Sequence, residues 1–175
     1  MERMKNHNCV ASGVEKFTTE SEPFHFTDSG LSNVYLIGIK YYVCECGNVV
    51  AEIPAVKQLM RLIARDLVEG TASLTSDEVR FLRKRLGRKS IEFAKELGVE
   101  PETLSRIENG KVPITEPLDK LIRLVYAVSA DDPDLLNGVT IMIKSWLTSW
   151  TPRTAELKIV KKIDEDNEWS NALAA

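Results

Sequence analysis

Apolar residues change their spacing along the chain, and the changes divide it into regions. Between Phe17 and Ile53 they fall in short β-branched and aromatic runs, Val34-Tyr35-Leu36-Ile37 and Ile39-Lys40-Tyr41-Tyr42-Val43, which predict strands. Asp28-Ser29-Gly30 is a turn signal between two extended arms, so residues 17–27 and 32–43 are expected to close as a long hairpin. Residues 1–16 are polar and read as loop. A second tight turn, Cys44-Glu45-Cys46-Gly47-Asn48, precedes Val49-Val50-Ala51.

From Pro54 the period becomes helical. Val56, Leu59, Met60, Ile63, Leu67 and Val68 recur every three or four residues, with Pro54 near the first turn and Gly70 as the stop. Four shorter helices follow. Thr75-Ser76-Asp77-Glu78 has the form of a capping box, and Val79, Leu82 and Leu86 give the helix behind it an inner face that ends at Gly87. The next runs from Ser90 to Leu97 and stops at Gly98. A third starts at Pro101, suited to the first helical position, and stops at Asn109-Gly110. The fourth spans about 117–129, with Leu118, Leu121, Ile122, Val125 and Val128 as its stripe. After the acidic break around Pro133, Leu135 to Trp150 is strongly apolar and reads as a docking helix. Leu157 to Ile163 alternates enough for an edge strand.

The fold class expected is α+β: a small β module over 1–53, a connecting helix and linker over 54–73, an all-α helix-turn-helix domain over 74–129, and a C-terminal helical extension over 130–175. Composition fits a soluble globular chain, at 43% hydrophobic and 28% charged residues. No apolar run approaches the ~20 residues of a membrane span, and no signal peptide is evident, so a cytoplasmic location and no membrane partner are expected. Three cysteines without export signals argue against a disulfide framework and for free thiols or metal ligands.

Net charge is −3, but its distribution is uneven. Residues 75–129 carry 11 basic and 9 acidic side chains, and the segments on either side are both net acidic. Arg83, Lys84, Arg85, Arg88 and Lys89 cluster there, which is either a phosphate-facing patch or a solvated helix end.

The most specific spacing is Phe93-Ala94-x-x-Leu97-Gly98-Val99 followed by Leu104-Ser105-Arg106-Ile107-Glu108-Asn109-Gly110. A small residue at Ala94 lets two short helices cross closely, Gly98 supplies a positive φ, and Val99 and Leu104 fill the joint. Here residues 75–128 resemble the Xre (Cro-like phage repressor) helix-turn-helix family. The resemblance implies that the third helix enters the major groove, with Glu102, Thr103 and Arg106 at base edges and Asn109 and Lys111 on phosphate. An Arg106 fork fits the two acceptors of guanine, and Glu102 either accepts from a cytosine amino group or stabilises the helix start. Ser90 takes the family's phosphate-contacting position at the second helix, where Gln is usual.

Cys9-Val10-Ala11-Ser12-Gly13, Val43-Cys44-Glu45-Cys46-Gly47 and Leu74-Thr75-x-x-Glu78-Val79 extend the likeness to the MqsA/YgiT family up to about residue 128. Members join an N-terminal zinc-binding β module to an Xre-type domain, and act as antitoxins that bind a toxin and repress their own operon. The chain departs from the family's two C-x-x-C pairs, with Ser12 in one and a C-x-C in the other. Two readings stay open: His7, Cys9, Cys44 and Cys46 hold a structural zinc, or the site has decayed.

No phosphate loop or nucleophile elbow is present, so an enzyme is not expected. The function expected is a sequence-specific repressor acting on double-stranded operator DNA, as an autoregulating antitoxin that also binds a protein toxin. The alternatives are a stand-alone regulator with a metal- or ligand-sensing module, and a protein-binding adaptor. A homodimer is expected from the need for paired half-sites, with Leu135–Trp150 as interface or, alternatively, folded back on its own chain.

Overall fold

The computed structural model describes residues 14–43, 49–130, 132, 135, 143–144, 152 and 158–172. The chain divides into two compact units: Met1–Phe26, Asn33–Leu59 and Lys158–Ala175 in one, Thr27–Ser32 and Met60–Leu157 in the other.

The first unit is built on two sheets. β1 (Val14–Phe17), β4 (Lys40–Val43) and β5 (Val49–Glu52) form an antiparallel sheet in the order β1-β4-β5. β2 (Phe24–His25), β3 (Val34–Ile37), β6 (Ile159–Ile163) and β7 (Trp169–Asn171) form the other, in that order. The arms expected to make one hairpin do pair with each other, and their first strand starts at Val14 rather than Phe17. They are split between the sheets, however: Val14 faces Val43 in one, and Phe24 faces Leu36 in the other.

The break falls at Thr18 and Gly38. Thr18 is buried; its N–H donates to the Ile39 carbonyl at 3.0 Å, and its Oγ1 accepts from the Ile39 N–H at 3.1 Å. Gly38 has φ +83°, and a Cβ there would lie 2.8 Å from the Ile163 carbonyl oxygen. Only glycine meets both demands. Gly38→Ala is expected to destabilise the unit by about 1–3 kcal/mol, read as a fall in denaturation midpoint.

The strand expected over 157–163 forms as β6, in the interior of its sheet rather than at an edge, and with β7 it corrects the helical reading of the extension over 130–175 at these residues. It lies between β3, to which it runs parallel from Val34↔Ile159, and β7. Its inward positions are Ile159, Lys161 and Ile163. Lys161 is fully buried, with its Nζ donating to Asn171 Oδ1, so a lysine occupies the place where alternation would call for an apolar residue. Trp169 is buried, and its indole N–H donates to the Pro54 carbonyl at 2.9 Å.

α1 (Val56–Glu69) is the amphipathic helix the spacing predicts, with Leu59, Ile63, Ala64, Leu67 and Val68 buried. The second unit then folds as α2 (Ser76–Arg85), α3 (Ser90–Glu96), α4 (Pro101–Glu108) and α5 (Glu116–Ser129). The capping box forms: the Thr75 side chain accepts from the Glu78 N–H, and Glu78 accepts from the Thr75 N–H at 2.8 Å. Gly87, Gly98 and Gly110 end the first three of these helices, each at a positive φ.

α5 buries a different face from the one its apolar spacing suggests. Leu118 and Ile122 are inside, but Val128 is 62% exposed, and Asp119, Arg123 and Tyr126 are buried. Arg123 is 1% exposed. Its guanidinium holds Asp119 at 2.8 Å and donates to the carbonyls of Leu67 and Gly70, and to that of Ala72 at 2.6 Å. Asp119 in turn accepts the Leu74 N–H at 2.6 Å. The carbonyls at the end of α1 have no partner within their own helix, and a buried guanidinium supplies one.

Burial pushes the Tyr126 hydroxyl above its ordinary value of 10.0, against the opposing charge and hydrogen bond of Arg85. Stability from the neutral phenol is therefore complete below that value and lost as pH rises through the raised one. Urea midpoints should fall more steeply in the native chain than in Tyr126→Phe as pH rises above about 10.

Candidate nucleic-acid interface

The site grows out of the joint between α3 and α4. Phe93 and Ala94 of α3 are fully buried, as is Leu104 of α4, and Ile107 is nearly so. Between the helices Gly98 sits at φ +67°, which lets the Val99 N–H reach back to the Ala94 carbonyl at 3.0 Å. Pro101 opens α4, where its missing N–H costs no hydrogen bond. Inward residues fixed in this way leave Glu102, Thr103, Ser105, Arg106 and Asn109 on the exposed side of α4.

The C-terminal end of α4 is clamped to α2. Arg83 makes a two-pronged contact with Glu108, Nε to Oε1 at 2.6 Å and Nη2 to Oε2 at 2.9 Å, and both side chains are largely buried. Arg80 donates to the Glu108 carbonyl and pairs with Asp77 at 3.0 Å. This corrects the reading of Arg83 as a phosphate-facing residue, since its guanidinium is committed to Glu108 and to the Arg88 carbonyl. Arg88 itself pairs with Glu96 at 3.0 Å. Of the basic cluster, Lys84, Arg85, Arg88 and Lys89 are exposed, and Arg85 also bonds Tyr126.

The residues singled out from the sequence are partly brought together. Ser90, Glu102 and Arg106 line one shallow depression of about 410 Å³ between α3 and α4, together with Ile91, Pro101 and Ser105. Thr103, Asn109 and Lys111 are exposed but do not line it. Asn109 turns its amide back on its own helix, Nδ2 donating to the Ser105 carbonyl at 2.7 Å, so it caps α4 as it stands. Among the described residues the Arg106 guanidinium has no ion pair, which leaves its fork open to a ligand outside the chain.

Ile91, Pro101 and Ser105 were missed by the sequence reading. A signal existed for Ile91: it falls off the face defined by Phe93, Ala94 and Leu97, so helical spacing alone turns it outward. His7, Cys9, Cys44 and Cys46 lie outside the described residues.

Residues 79–130 match a protein-family model described as Helix-turn-helix. No curated protein and no solved structure matches the chain. The chain thus carries a DNA-binding helix-turn-helix of the kind found in transcription regulators, and double-stranded DNA is the partner that this domain type implies.

Proposed function

We propose that this protein is a transcriptional repressor that reads a specific operator through the exposed face of α4. The observation that carries the reading is the open guanidinium of Arg106 on a helix whose other face and far end are locked by Leu104, Ile107 and the Arg83–Glu108 clamp. A rigid recognition helix with a free Arg fork is what direct readout of guanine requires. Arg106 and Glu102 contact base edges with Thr103 beside them, and Ser90, Asn109 and Lys111 hold phosphates.

Arg106→Ala should weaken binding to the cognate operator by about 1–3 kcal/mol and relax preference at one base pair. Lys111→Ala should weaken every sequence alike and flatten the salt slope by about one unit. Equal losses for Arg106→Ala on cognate and scrambled DNA would remove Arg106 from the reading.

The reading extends to an autoregulating antitoxin, with a protein toxin bound by the β unit and a homodimer on paired half-sites. Its support is the sequence likeness around Cys9, Cys44 and Cys46 and the helix-turn-helix that follows. Co-purification with the product of the adjacent gene tests the toxin partner, and light scattering tests the dimer. Most of the segment Leu135–Trp150, the candidate interface, lies outside the described residues. Zinc on His7, Cys9, Cys44 and Cys46 belongs to the same reading. Val14 is paired with Val43, whose next residue is Cys44, so the strands flanking the two cysteine segments are neighbours. One equivalent of zinc per chain, lost in Cys9→Ala, is the expected result of elemental analysis.

A stand-alone regulator with a ligand-sensing module is favoured by one feature of the β unit. A cleft of about 760 Å³ there is lined by Phe17, Lys40, Glu52 and Lys162 among others.

A further inference from the structure

We propose that Ile91 and Pro101 form the apolar seat of a thymine C5-methyl group, which makes Ile91 a specificity-determining residue of the interface. The inference rests on the operator reading and adds a base to it.

Ile91 is 70% exposed, the most exposed of the large hydrophobic side chains among the described residues. The folding of α3 does not call for it, because Phe93 and Ala94 are fully buried and supply the inward face. A lone exposed apolar residue is ordinary on a protein surface. This one is set apart by its place. It lines the same depression as Pro101 at the first turn of α4, and that depression also holds Ser90, Glu102, Ser105 and Arg106. When α4 enters a major groove by its N-terminal turn, this depression meets the base edges. Thymine is the base that presents an apolar group there, its C5-methyl. Two apolar walls beside polar readers match a methyl group next to hydrogen-bonding edges. Glu102 disfavours backbone phosphate on the α4 side of the depression, since two anions repel, and leaves the phosphate to Ser90 on the α3 side.

The test uses the full chain and an operator recovered by selection from random duplex DNA. Each thymine in a half-site is replaced in turn by deoxyuridine, which deletes only the methyl group. At one position the native protein should lose about fourfold in affinity, the worth of one methyl withdrawn from water. Ile91→Ala should bind the thymine operator about fourfold more weakly and no longer distinguish deoxyuridine at that position. Its melting temperature should match the native chain, because the side chain is exposed. A preferred operator without a deoxyuridine penalty, or with a penalty that persists unchanged in Ile91→Ala, overturns this inference and leaves the operator reading standing. Failure to recover any preferred sequence overturns both.

Discussion

Replacing Arg123 by methionine should lower the stability of the helical unit by about 3–5 kcal/mol, the usual effect of removing one member of a buried charge pair. The guanidinium holds Asp119 at 2.8 Å and satisfies carbonyls of Leu67, Gly70 and Ala72. Methionine fills similar volume but donates nothing, so the buried Asp119 carboxylate loses its guanidinium partner and the α1 terminus loses its donors. Adding Asp119→Leu removes the stranded charge and should recover part of the loss, so that the double substitution costs less than the two singles together. It should not recover all of it, because the Leu74 N–H then lacks its acceptor. Urea denaturation followed by circular dichroism reads the effect. A loss below about 1 kcal/mol for Arg123→Met would mean the network is no anchor.

The second large effect is expected at Glu108. Glu108→Ala breaks the two-pronged contact with Arg83 and strands a guanidinium that is only 12% exposed. The expected cost is about 3 kcal/mol, towards the lower end for a buried pair because Arg83 keeps some contact with water. The consequence for DNA should exceed that of an ordinary destabilising change. The Glu108 carboxylate ties the C-terminal end of α4 to α2, so its loss loosens that end of the recognition helix, although Leu104 and Ile107 keep the helix packed on its inner face. Affinity should fall well below the melting point of the variant, on cognate and random DNA alike. Arg106→Ala differs, since it should spare stability and strike the cognate site selectively. Equal stability of Glu108→Ala and the native chain would contradict the clamp.

Features set by neighbouring residues were legible in the sequence. The Thr75–Glu78 box, Pro101 at the start of α4 and the stops at Gly87, Gly98 and Gly110 each depend on residues within a turn of one another, and each forms as read. The place of Arg106 came from the resemblance to the Xre family, and the residue is exposed on α4. What stayed hidden depends on partners far along the chain. Arg83 looks like one more surface cation until α4 brings Glu108 against it. Asp119 and Arg123 read as the polar side of α5, yet the carbonyls that make them inward residues belong to a segment about 50 residues earlier. The split of the hairpin at Gly38 is set by the close approach of Ile163, from the far end of the sequence. β6 was mistaken for an edge because Lys161 points inward, where period-two reasoning assigns lysine to water.

Readout of DNA sequence by α4, as proposed, can be tested on the DNA itself. Selection of full-length protein on random duplex DNA, repeated with Arg106→Ala, tests it most directly. The native chain should enrich one motif containing a guanine that Arg106→Ala no longer prefers, with the rest of the motif intact. Enrichment of no motif by the native chain, or of the same motif including that guanine by Arg106→Ala, would contradict it.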